Sequence, residues 1–103
     1  MKIIQELSDM IEEEINDAEK YARKAIACKS ERSVLAEVFY KLAGEELGHM
    51  NALHGQVVAI INEYRKAKGD PPPEMQMLYD IFHNKHIEHV AMVKALLSLY
   101  KEQ

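Results

Sequence analysis

The chain has 103 residues, of which 48% are hydrophobic and 29% charged, and a formal net charge of −4. That length makes one domain, residues 1–103, with room for a real core, and the composition argues against disorder. The acidic balance excludes nucleic-acid binding as the main role, no apolar run approaches the roughly 18 residues of a membrane span, and the single Cys28 excludes an internal disulfide or a Cys-x-x-Cys metal site.

The first predicted helix runs from Ile4 to Cys28. Its apolar positions Ile4, Leu7, Ile11, Ala18, Tyr21 and Ala25 keep the 3-4 spacing of a narrow bundle seam, and Glu14 stands where that seam needs a leucine. A break follows at Lys29–Ser33, with Ser33 suited to cap the next helix. The second helix runs from Val34 to Ala67. Its stripe is Leu35, Phe39, Leu42, Leu53 and Ile60, and Glu46 and His49 fill the missing places. Gly69-Asp70-Pro71-Pro72-Pro73 stops it: the glycine can take a left-handed cap conformation and the prolines cannot continue a helix.

The third helix starts near Pro73 or Glu74 and runs to about Tyr100. It is apolar over a wide arc that includes Met75, Leu78, Phe82, Ile87, Val90, Met92, Val93, Leu96, Leu97 and Leu99. Such an arc needs more than one neighbour, so an oligomer is expected. No apolar/polar alternation persists, so no strand is expected. The fold class is therefore all-α: an antiparallel helical hairpin followed by a third long helix. Met1–Glu6 lacks the apolar stretch of a signal peptide, which makes the cytoplasm the expected location.

An ionised carboxylate on a buried stripe is costly unless something pairs with it. Glu14 lies 17 residues before Glu31, at the centre of the first turn, and Glu46 lies 15 after it. In a hairpin rising about 1.5 Å per residue, the two carboxylates face each other within about 3 Å of height. His49 follows Glu46 by one turn on the same face. The hairpin thus brings Glu14, Glu46 and His49 to one level. Di-iron and di-manganese carboxylate bundles need a Glu from each of two helices and a Glu-x-x-His from each of the other two. This hairpin carries half of that set, and a two-fold symmetric homodimer would supply the whole. Carboxylates with one imidazole suit iron(II), manganese or zinc. Glu45 and Asp17 are the expected acceptors for the second ring nitrogen of His49. The bland reading of the triplet is a polar network paired internally or across an interface.

Residues 11–54 resemble the first helical hairpin of the ferritin-like superfamily, most closely rubrerythrin and encapsulated ferritin. The matching positions are Glu14, Tyr21 two turns on, and Leu42-Ala43-Gly44-Glu45-Glu46-Leu47-Gly48-His49, which fits the family's Leu-Ala-x-Glu-Glu-x-x-His. The resemblance implies a di-iron centre, two irons per dimer, with Glu46 bridging, Glu14 terminal and His49 supplying one nitrogen to each ion. It implies iron(II) oxidation by dioxygen or peroxide. Two departures qualify it. A fourth helix and second Glu-x-x-His are missing, the nearest echo being Asp80-Ile81-Phe82-His83 on the polar side of the third helix. The Cys-rich electron-delivery domain of rubrerythrin is missing as well. The C-terminal residues Leu99–Gln103 do not look like an encapsulin-docking tail.

Other features have plainer expectations. Glu12 and Glu13 belong to a charge run that coats a solvated face, and Glu19 is a reserve ligand at the height of Ala43. Counted from the turn near Pro71, Val93 and Leu96 are level with Glu46 and His49. His83, His86, Glu88 and His89 then lie away from the site, at a surface or interface. A second weak metal site, or an extra ligand from Glu88 or His89, is the alternative, since His86 and His89 share the stripe of Phe82 and Val93. Tyr21 is either a core aromatic or a redox-active neighbour of the metals. Met10, Met50, Met75, Met77 and Met92 are expected to fill gaps in the core, and Cys28 to be a small boundary residue. The expected function is iron handling, as a ferroxidase or a rubrerythrin-like peroxidase. The alternatives are a non-catalytic helical oligomer or adaptor and a redox-silent structural metal site.

Overall fold

The computed structural model describes residues 1–103 and is 90% helical, with no strand. Helix α1 spans Lys2–Cys28, α2 Ser33–Lys68 and α3 Pro73–Glu102. Each boundary falls within two residues of the sequence expectation, because the prolines and Gly69 sit together in the second break and Lys29–Arg32 form the first. The molecule measures 56 × 18 × 18 Å. At 1.5 Å per residue the 36-residue α2 is about 54 Å long, so this one helix spans the rod.

The caps depart from expectation in detail. Ser33 is already the first helical residue of α2; Arg32 holds the cap position, and no side chain bonds there. The turn closes instead through the backbone, Arg32 N–H donating to the Cys28 carbonyl at 2.8 Å. Lys29 ties the far end of the chain to this turn. Its ammonium donates to the Tyr100 carbonyl and lies 4.5 Å over the Tyr100 ring. Gly69 does take a positive φ of 81°, but its ψ of −162° leads the chain away extended rather than into a left-handed cap. An L side chain would be strained there. Arg65, Lys66 and Lys68 offset the helix dipole in the last turn of α2.

Helix α1 lies between the other two. Its contacts advance along α1 as they retreat along α2: Glu14 meets Glu46, and Tyr21 stacks on Phe39 at 6.1 Å. The core joins Ile11, Ile15, Ala18 and Ala22 of α1, Ala43, Met50 and Val57 of α2, and Val93 of α3. A smaller cluster of Ala25, Ala36 and Tyr100 closes one end, with Cys28 packed against it. The buried residues of α2 are Ala36, Ala43, Met50 and Val57, and those of α3 are His86, Val93 and Tyr100. Both sets recur every seven residues, as in left-handed helix packing.

The α2 seam runs one row over from the sequence expectation, while the α1 seam keeps the expected Ile11, Ala18 and Ala25 and adds Ser8, Ile15 and Ala22. On α1 the buried row is Ser8, Ile11, Ile15, Ala18, Ala22 and Ala25; Glu14 and Tyr21 are half-buried at its edge. On α2, Leu35 is exposed, and Phe39, Leu42, Leu53 and Ile60 are half-buried. Ala18, Ala22 and Ala25 of α1 and Ala36 and Ala43 of α2 are fully buried; small residues let two helices approach closely and leave the longer side chains beside them at the rim. Leu78, Ile87, Met92 and Leu99 of α3 are exposed rather than core. Of the methionines expected to fill gaps, only Met50 is buried, and Met10, Met77 and Met92 are exposed.

The height of α3 also differs from expectation. Tyr100 Oη donates to Glu37 at 2.8 Å, and His83 stacks on His54 at 5.1 Å. These pairings put Ala91 and Glu88, not Val93 and Leu96, level with Glu46 and His49. The Gly69–Pro72 connection thus returns the chain about one helical turn below the end of α2, a shift a symmetric turn would not produce.

Candidate metal centre

Glu14, Glu46 and His49 come together. One ligand atom from each lies within 4.8 Å of the others. His49 Nδ1 is 3.4 Å from Glu14 Oε2 and 3.7 Å from Glu46 Oε1. The local cause is the one read from the sequence: Glu46 and His49 are one turn apart on α2, and the tight turn at Lys29–Arg32 sets the register of α1 against it. The burial is not the one expected. The carboxylates are largely covered, whereas the His49 side chain is 62% exposed, because it belongs to the row displaced to the rim. Neither Glu45 nor Asp17, both exposed, hydrogen-bonds its ring.

The electrostatics of the group are unbalanced. Glu14 Oε2 is buried and has no hydrogen-bond donor. Glu46 is pushed up to about 7. The adjacent Glu14 carboxyl is the main cause, since it favours a proton held between the two groups and repels a second charge. Burial and Asp17 add to the rise, and His49 opposes it. Two acids crowded until one keeps its proton near neutrality will favour a cation in that proton's place.

Along the same faces of α1 and α2 run the exposed Ile3, Met10, Leu35 and Val38 and the half-buried Leu7, Tyr21, Leu42 and Leu53. Helix α3 packs on the other side of α1 and leaves this face free.

The histidines of α3 correct the surface reading. His86 is buried and His89 half-buried against α1. Glu12, expected on a solvated face, points between them: its Oε1 is 3.0 Å from His89 Nδ1 and its Oε2 3.5 Å from His86 Nε2. Glu19 Oε1 is 2.8 Å from His89 Nε2, so this reserve ligand serves α3 and not the Glu46 site. Arg23 holds Glu19 at 2.9 Å and, with His89, keeps its carboxyl below the ordinary range. Burial holds His86 below its ordinary value, partly opposed by Glu12. His83, expected on the polar side, is half-buried and stacked between His54 and Tyr79. His54 Nε2 is buried without a partner, and burial, helped by His83, lowers its pKa. Only Glu13 of the acidic run is exposed as expected.

Glu12 was legible in one respect. Glu12 and Glu19 are seven residues apart on one face of α1, and His86-x-x-His89 is a matching pair on α3. What hid them was the misplaced height of α3.

No family model, no curated protein and no solved structure matches this chain. No helix is long and apolar enough to cross a membrane. The residues themselves carry the functional argument.

Proposed function

We propose that the chain is a half-size ferritin-like protein whose antiparallel α1–α2 hairpin binds iron(II) through Glu14, Glu46 and His49. Two copies, joined through their open hairpin faces, would complete a four-helix di-iron carboxylate bundle that oxidises the iron with dioxygen or peroxide. The observation that carries this reading is the crowded triplet itself: a buried Glu14 oxygen without a hydrogen-bond partner, a Glu46 carboxylate beside it and the His49 imidazole nitrogen, with one ligand atom of each within 4.8 Å of the others. Structural polar networks satisfy their buried groups; this one is short of positive charge.

The donor set fits the ion. Oxygen ligands with one nitrogen per chain suit iron(II), with manganese or zinc as competitors. In the symmetric dimer each chain contributes one Glu from α1 and one Glu-x-x-His from α2, the full set for two ions. Apolar Leu35, Val38 and Met10 on the same face supply surface for that association. Glu14 and Glu46 would hold the ion and offset its charge, and Glu46 would lose its proton on binding. His49 would add a nitrogen ligand, and its exposure leaves an approach for the ion or the oxidant. Two iron(II) ions per dimer would supply the two electrons that, with two protons, take dioxygen to hydrogen peroxide.

The test is an anaerobic iron(II) titration of chelator-stripped protein, followed by air, with bound metal and absorbance recorded together. Saturation near one iron per chain, with ferric absorbance growing after air, is the expected result. Metal-dependent stability without oxygen consumption would indicate a structural zinc-type site. No binding above background would make the triplet a register-fixing polar network in a helical assembly.

A further inference from the structure

We propose that Glu12, His86 and His89 form a second metal site, for a zinc-class divalent ion, that clamps α3 onto α1. It is separate from the Glu14–Glu46–His49 group and does not depend on that group binding iron. Glu12 and Glu14 are two residues apart, so they point about 200° apart around α1.

His86 and His89 are three residues apart on α3, which puts both rings on one face. That face is turned toward a single carboxylate. Glu12 Oε1 meets His89 Nδ1 at 3.0 Å, and Glu12 Oε2 faces His86 Nε2 at 3.5 Å. Oε2 is buried, yet no hydrogen bond reaches it. A buried acceptor facing an imidazole nitrogen without a bond is a pair that a shared cation satisfies. Two nitrogens and a carboxylate are a zinc-type donor set.

The group behind His89 strengthens the assignment. Imidazoles that bind metal usually donate their other N–H to a carboxylate, which fixes tautomer and ring orientation. Here Glu19 Oε1 stands 2.8 Å from His89 Nε2 and is itself held by Arg23. Two carboxylates can be satisfied by one ring only if both nitrogens carry hydrogens, or if a cation takes one of those places. A metal ion at Nδ1 does the latter and leaves Nε2–H for Glu19. His86 and His89 face different oxygens of Glu12, and only the Glu14 group has all its donors within 4.8 Å of one another, so binding at the second site requires the two rings to turn toward one point. His86 also lines a cleft of about 350 Å³ with His54, His83 and Lys94, which gives an ion and a fourth, water ligand a way in.

The experiment uses cobalt(II) and zinc(II) salts alone as probes, on the 103-residue chain carrying Glu14→Gln and Glu46→Gln so that the first site is disabled. The expected result is about one cobalt(II) per chain, with the visible bands of a four-coordinate nitrogen–oxygen site, and a higher melting temperature with zinc(II). Adding His86→Gln and His89→Gln removes both effects. Should that variant fail to fold, Glu12→Gln, which keeps the side chain's size, must still abolish the bands. Glu19→Gln keeps all three ligands and should weaken binding about 10- to 100-fold, a change a merely structural glutamate would not cause. Absence of cobalt(II) binding in the disabled background overturns the proposal, as does binding left intact by Glu12→Gln. Iron binding by the unmodified chain is read separately, so the two sites fail or stand independently.

Discussion

The two faces of α1 carry the same chemistry and meet opposite fates. On one, Glu14 joins Glu46 and His49 of α2, away from α3, and the acids are left crowded and short of positive charge. On the other, Glu12 and Glu19 receive His86 and His89 from α3, so that most of the charge is answered inside the chain. Glu13, between them in sequence, simply faces water. Three consecutive glutamates thus do three different things, because each step along a helix turns the side chain by about 100°. Charge answered within a chain holds a helix in place. Charge left unanswered on a face with exposed apolar residues is what the proposed metal ion and second copy would answer.

The comparison breaks most sharply at Glu46. Glu46→Ala should abolish tight iron(II) binding at the open face, a loss beyond the roughly hundredfold that an outer-shell partner costs, and leave the closed face untouched. Equilibrium dialysis against iron(II) under argon measures it, and stoichiometric binding by the variant would remove Glu46 from the site.

The next effect separates neighbours. Glu12→Ala strips His89 of a hydrogen-bond partner and His86 of the carboxylate facing it, and should cost about 1–3 kcal/mol of stability, whereas Glu13→Ala should stay within about 0.5 kcal/mol. Urea unfolding of the two variants side by side decides the matter. Equal costs would mean that α3 does not dock through Glu12.

A smaller effect lies in pH. The folded protein holds the Glu46 proton up to about 7, while the unfolded chain releases it near the ordinary 4.5. Between those values the folded state binds more protons. This contribution to stability is therefore complete below the lower value and lost as pH rises through the upper one. Relative to Glu46→Gln, which cannot titrate, the metal-free protein should lose about 1–3 kcal/mol between pH 4.5 and 7.5. Chelator-treated samples unfolded at a series of pH values test this; a constant difference between the two proteins would show that Glu14 and Glu46 are not crowded.

The sequence alone determined the three helices, their ends, and the meeting of Glu14, Glu46 and His49. Those follow from local rules: prolines and glycine stop helices, and residues equally far from a tight turn arrive at one height. It did not reveal which row of α2 is buried, because the choice between the leucine row and the adjacent alanine row depends on how closely two whole helices approach. His49 is exposed for that reason. Nor did it reveal the height of α3, which depends on the path of Gly69–Pro72 and shifted every α3 residue by about a turn. That shift turned His86 and His89 from surface residues into partners of Glu12. A short turn transmits register from one helix to the next, and an extended connection does not, so the second cluster was decided only when α3 packed against α1.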